Sequence, residues 1–113
     1  MYGLEAPGIS FPQVVKLVQA GDADGLSTVY DLLSRGLRPQ IARRVDHQDV
    51  PDILHDVFLE VVSAIQQNQL RDARRLMGFA RTIGRRKVAL YMGVLVRKRR
   101  DQDQFTAVFQ HHH

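Results

Sequence analysis

A chain of 113 residues is enough for one domain with one modest hydrophobic core, and the absence of cysteine excludes a disulfide framework and thiolate metal sites. The net charge of +4 conceals a split: residues 1–65 hold five Lys or Arg against nine Asp or Glu, and residues 66–113 hold eleven against three. Opposite signs on two segments point to two partners of opposite charge, with solvated faces as the alternative that charge alone leaves open.

Helical periodicity dominates, and no alternating strand pattern bounded by turn residues interrupts it. The first segment runs from about Pro12 to Ala20, with Pro12 suited to a first helical turn and Gly21 to a helix stop. Asp22 is a cap for a second segment reaching about Val45, with Leu26, Val29, Tyr30, Leu33, Leu37, Ile41 and Val45 at steps of three and four. Gly36 and Pro39 are expected to bend or divide it.

The third segment, Asp49 to Ile65, has the cleanest pattern. Val50, Ile53, Leu54, Val57, Phe58, Val61, Val62 and Ile65 fall on one helical face, which must be core. Asp49, Asp52, Asp56 and Glu60 line another side, more acid than the helix dipole needs.

Gln66 to Gln69 form a polar connector, and a long helix is expected from about Arg71 to Arg100. Leu76, Met77, Ala80, Ile83, Val88, Tyr91 and Leu95 can face the core, while Arg71, Arg74, Arg75, Arg81, Arg85 and Arg86 can share the opposite side. Phe58 and Phe79 are assigned to the core, and Tyr91 needs water or a partner for its hydroxyl. The tail from Asp101 is expected to fray or dock loosely, and His111–His113 read as a tag remnant. This divides the chain into an N-terminal arm (1–11), a helical domain (12–100) and a tail (101–113).

No apolar run approaches the roughly 20 residues of a membrane-spanning helix, and Met1–Ser10 lacks a secretion-signal pattern, so no membrane association is expected. No phosphate-binding glycine loop, nucleophile elbow or dinucleotide fingerprint appears, so a non-enzymatic protein without cofactors is expected. His47 and His55 lack the cysteines or the H-E-x-x-H spacing that would support a metal site.

Three stretches have a familiar order. Ala20-Gly21-Asp22-Ala23-Asp24 is followed by Leu26 and Tyr30. Asp49-Val50-Pro51-Asp52-Ile53-Leu54-His55-Asp56-Val57-Phe58-Leu59 is an acidic and apolar helix. Phe79-Ala80-Arg81-Thr82-Ile83-Gly84-Arg85-Arg86-Lys87-Val88-Ala89 leads to the basic run Arg97-Lys98-Arg99-Arg100. Together they resemble region 2 of bacterial RNA polymerase sigma factors of the sigma-70 family, especially the extracytoplasmic-function group.

The resemblance implies an all-α compact bundle of four to five helices, acting in the bacterial cytoplasm. Its implied partners are core RNA polymerase, through the clamp coiled coil of the beta-prime subunit, and the melted minus-ten element of promoter DNA. By motif position, Asp52, His55, Asp56 and Glu60 would contact the clamp, with Asp49 at the edge. A flipped promoter base would be captured near Gln66–Asp72, where Gln67, Asn68 and Gln69 can read base edges. Arg71, Arg74, Arg75, Arg81, Arg85, Arg86, Arg97 and Arg99 suit the DNA backbone, since each neutralised phosphate releases counterions.

The chain also departs from the family pattern. His55 stands for the usual Gln, Phe79 for Trp, Gly84-Arg85-Arg86 for Ala-Arg-Asn, and Leu90 for a common Asp. Nothing in the sequence supplies the helix-turn-helix region 4 of that group. The departures leave room for unusual promoter choice, or for a sigma-like interaction module that binds the clamp or an anti-sigma factor without DNA. A basic helical domain binding nucleic acid nonspecifically is a third reading.

Overall fold

The computed structural model describes the backbone of residues 10–111 and the side chains of residues 10–104. The expected N-terminal arm up to residue 9, and His112 and His113 of the expected tag remnant, lie outside the described residues. Four helices follow in order: α1 (Phe11–Gln19), α2 (Ala23–Ala42), α3 (Val50–Gln66) and α4 (Leu76–His111). Short 3-10 turns at His47–Asp49 and Ala73–Arg75 lead into α3 and α4. Among the described residues there is no strand, and no helix is long and apolar enough to cross a membrane.

Local side-chain chemistry sets most of the boundaries. Ser10 opens α1 with a capping box: its side chain accepts from the Gln13 backbone N–H, and its own N–H donates to Gln13 Oε1 at 2.9 Å. The α1 helix stops at Gly21, whose φ of 73° is the left-handed conformation glycine adopts without steric cost. There the N–H groups of Gly21 and Asp22 donate to Val18 and Leu17 oxygens, both at 2.9 Å, completing a Schellman motif. Asp22 then caps α2, accepting from the N–H groups of Asp24 and Gly25.

The same motif ends α3, with Asn68 at φ 58° in the glycine role. Asn68 N–H donates to Ile65 O at 3.1 Å, and Gln69 N–H to Ala64 O at 2.8 Å. A hydrogen bond of 3.0 Å from Gln19 Nε2 to Asn68 Oδ1 joins the two helix ends.

Three expectations are corrected. Pro39 lies inside α2 without dividing it; Arg35, whose carbonyl loses its partner at the proline, sits on an exposed stretch with Gly36, Arg38 and Pro39, where water can serve. The long helix begins at Leu76 rather than near Arg71, because Asp72 accepts from the Arg74 N–H at 3.0 Å and caps a 3-10 turn instead. Arg71, Arg74 and Arg75 therefore precede α4 and do not share its helical side with Arg81, Arg85 and Arg86. Nor does α4 end at Arg100; its backbone remains helical to His111.

The α2 and α3 helices pack on each other and on α4, and α1 closes the bundle against α2 and α3. Val14 and Val18 of α1, Leu33 and Leu37 of α2, Leu54 and Val57 of α3 and Leu76 and Ala80 of α4 are buried in one core. Phe58, Phe79 and Tyr91 pack partly buried against it. No polar or charged side chain is buried among the described residues, so apolar burial carries this fold. At about 1.5 Å per residue, α4 is roughly 54 Å long and outruns its neighbours. From Val96 to Gln104 it is exposed throughout.

Candidate protein and nucleic-acid surfaces

Successive four-residue steps on a helix advance about 40°, so a stripe spaced that way drifts round the axis. Asp52, Asp56 and Glu60 do this on α3, and Glu60 ends up about 80° from Asp52, turned toward α4. There it pairs with Arg86 and, at 3.0 Å, with Lys87. The hydrogen bond from Lys87, reinforced by the charges of Lys87 and Arg86, lowers the Glu60 carboxyl below its ordinary value against an opposing desolvation effect. One residue expected to face a protein and one expected to face DNA thus meet each other.

Asp49 is also engaged. It sits in the 3-10 turn before α3 and accepts a hydrogen bond from the Tyr91 hydroxyl of α4. This bond, with burial and the negative charges of Asp49 and Asp46, pushes the Tyr91 hydroxyl up from 10.0 to about 12. A folded-state pKa above the unfolded value stabilises the fold fully below about pH 10, and that contribution is lost as pH rises toward about 12. Alkaline absorbance titration of the three tyrosines should therefore show one late phase near pH 12. Asp49→Asn should move that phase back toward 10; a late phase that survives the substitution would mean the pair does not form in solution.

Asp52, His55 and Asp56 remain exposed on α3, and none has an ion-pair partner among the described residues. One helical turn from His55 and Asp56 stands Leu59, an apolar residue absent from the sequence-based site. Leu59 is 51% exposed, and Tyr30 of α2, 41% exposed, meets Phe58 edge-on with ring centroids 5.3 Å apart. The His55 ring stacks on the other neighbour of this group, Phe58, at 6.4 Å. Leu59 falls off the apolar face assigned to the core and has no role in the sequence reading, and a leucine left outside the buried stripe of a helix is the signal that could have found it.

The connector is shaped by its own polar groups. Gln69 Nε2 donates to Gln67 Oε1 at 3.2 Å and Gln67 Nε2 to Ser63 Oγ at 3.1 Å, while Asn68 is held by Gln19. All three amides stay exposed. Between the connector and the first turns of α4 lies an open cleft of about 730 Å³, lined by Gln69, Leu70, Arg71, Arg74, Arg75, Phe79 and Thr82. Asp72 also borders it and holds Arg74 through two contacts of 3.1 Å, with Arg75 at 4.0 Å. The hydrogen bonds from Arg74 hold the Asp72 carboxyl below its ordinary value. Of the cations here, Arg71 has no ion pair among the described residues.

Of the other predicted DNA-facing residues, Arg81 and Arg85 are exposed mid-helix, and Arg97 and Arg99 lie on the projecting part of α4, away from the connector in sequence and without an ion pair among the described residues. Sequence reasoning assigned no role to Arg43 and Arg44, counted within the acidic half. The packing of α2 on α4 brings them beside Arg81 and Arg85 on one groove. Compared with protein-family models, curated proteins and solved structures, the chain gives no match.

Proposed function

We propose that this chain is a sigma-70 region 2-type transcription-initiation domain that binds the beta-prime clamp coiled coil of core RNA polymerase and recognises the melted minus-ten promoter element. The observation that carries the reading is the cleft beside the connector. It combines the Gln69 amide, able to read a base edge, with the partly buried Phe79 ring and an Arg71 that has no ion pair among the described residues, in the segment where the sigma resemblance expects a flipped base; Gln67 and Asn68 lie outside its lining. The exposed α3 face suits the second partner, because Asp52 and Asp56 offer charge complementarity and Leu59, one helical turn from Asp56, an apolar anchor.

One feature favours the runner-up, a sigma-like interaction module for the clamp or an anti-sigma factor that does not recognise promoters: Asp72 neutralises much of the charge that Arg74 and Arg75 would offer to DNA. The two readings separate in fluorescence anisotropy with a single-stranded minus-ten oligonucleotide and core polymerase. Promoter recognition requires that Gln69→Ala with Arg71→Gln weaken DNA capture on the order of tenfold while clamp binding is retained. Undiminished capture would overturn the cleft assignment, and clamp binding without DNA capture by wild type would establish the interaction module.

A further inference from the structure

A second groove, of about 540 Å³, lies where the end of α2 meets the first third of α4. Its lining includes Pro39, Gln40, Arg43, Arg44, Arg81 and Arg85, with no carboxylate among the lining residues. None of the four arginines makes an ion pair among the described residues. Resting on the nucleic-acid part of the proposed function, we infer that this groove is a track for the phosphodiester backbone of the bound nucleic acid.

Helix electrostatics alone does not account for the cluster. Arg43 and Arg44 follow the last turn of α2, where the helix dipole favours cations. Arg81 and Arg85 have no such reason, since they sit well inside a helix of 36 residues. Bringing four like charges to one groove is unfavourable unless an anion joins them. Guanidinium groups suit phosphate, because their planar forks can donate two parallel hydrogen bonds to its oxygens.

The wall is partly fixed by the protein itself. Gln40 Nε2 donates to the Arg81 carbonyl at 3.5 Å, joining α2 to α4, and Arg43 Nε donates to the Pro39 carbonyl at 3.4 Å. These contacts use one guanidinium nitrogen of Arg43 and none of Arg81, and Arg85 gives one Nη to Thr82 Oγ1 at 3.2 Å, so each guanidinium keeps further donors for an anion.

The surroundings select the class of anion. The exposed large apolar side chains Tyr30, Leu59, Leu90, Val94 and Val96 all lie outside the groove lining, whose apolar members are Gly36, Pro39 and the buried Val88, so an acidic protein would find no large exposed side chain to anchor on there. Nucleic-acid backbone needs none. On α4, Thr82 of the connector cleft stands roughly 60–100° round the helix from Arg81 and Arg85, with Phe79 farther round at roughly 120–160°, so one strand reaches both surfaces by wrapping past Thr82.

The test uses the full chain and fluorescein-labelled oligo-dT, followed by anisotropy across a salt series. Arg43→Gln with Arg44→Gln should weaken binding on the order of tenfold and flatten the logarithmic salt slope by about 1.4, roughly 0.7 for each lost phosphate contact on a single strand. Arg35→Gln with Arg38→Gln removes the same charge from exposed α2 positions outside the groove, and should change both quantities much less. Equal effects from the two pairs would reduce the result to net charge and overturn the track. So would an unchanged slope in the Arg43/Arg44 variant, with helicity verified by circular dichroism.

Competition tests the occupant: inorganic polyphosphate should displace oligo-dT at lower charge concentration than poly-glutamate, and the reverse would assign the groove to an acidic protein. If wild type binds oligo-dT and the Gln69/Arg71 variant is weakened while the Arg43/Arg44 variant is not, the track alone fails. If wild type does not bind at all, the nucleic-acid reading of the protein fails with it.

Discussion

Gly25→Ala is expected to destabilise the protein by about 2 kcal/mol and lower its melting temperature by about 8 °C, although alanine is the better helix former. The reason is the crossing of α1 and α2. A Cβ at Gly25 would stand 2.5 Å from Leu17 Cβ, 3.0 Å from the Leu17 carbonyl carbon and 3.1 Å from the Val18 nitrogen. These atoms belong to backbone or adjoin it, so no flexible side-chain end can move aside, and the helices must separate around Val14 and Val18 of the core.

Gly84 supplies the contrast. It is also buried in a helix, but a Cβ there would meet Gln40 Nε2 at 3.7 Å and Leu37 Cδ1 at 4.0 Å, ordinary contacts. Gly84→Ala should therefore raise stability, by about 0.5–1 kcal/mol, through the helix-propensity gain alone. Thermal unfolding by circular dichroism checks both variants. Equal and small shifts would show that α1 does not sit on α2 as closely as described. The alanine usual at this position in the family that the sequence resembles would meet the same ordinary contacts.

What the sequence made legible follows from how far each signal reaches. The cap at Asp22, the stop at Gly21 and the apolar stripe of α3 are local, and each acts where it is written; the Ser10 capping box is local too, but the sequence reading starts α1 at Pro12 without it. The start of α4 was misplaced by about five residues because arginines at helical spacing carry no boundary. Asn68 and Asp72, a left-handed stop followed by a side-chain cap, carry one. Pro39 does not divide α2, since a proline on an exposed helical stretch need not break the helix.

The partition of charge was least legible. Cutting the chain by sequence placed Arg43 and Arg44 with the acids, whereas tertiary packing sets them against arginines about forty positions later. Likewise, spacing identified the Asp52, Asp56 and Glu60 stripe but could not identify what lay opposite its far end. The pairs Glu60 with Arg86 and Asp49 with Tyr91 depend on how α3 sits against α4, which only packing decides.

That division of the acidic stripe gives the second large effect. Asp52→Arg and Asp56→Arg should each weaken binding to the beta-prime clamp coiled coil on the order of a hundredfold, because reversal replaces an attraction with a repulsion on the exposed α3 face that also carries Leu59. The loss should shrink as salt is raised, as expected for exposed charges. Neutralisation separates the members further. Asp52→Asn and Asp56→Asn should each cost on the order of tenfold, while Glu60→Gln should change clamp affinity only a few-fold, since Lys87 and Arg86 already occupy its carboxylate. The Glu60 effect should appear instead in stability, as a loss of at most about 1 kcal/mol for a partly exposed pair. Calorimetric titration with a clamp coiled-coil peptide measures the affinities. If Glu60→Gln weakened binding as much as Asp52→Asn, the α3–α4 pair would have to open on binding. If neither aspartate mattered, α3 would not be the clamp-binding face, and the protein-binding half of the proposed function would fall with it.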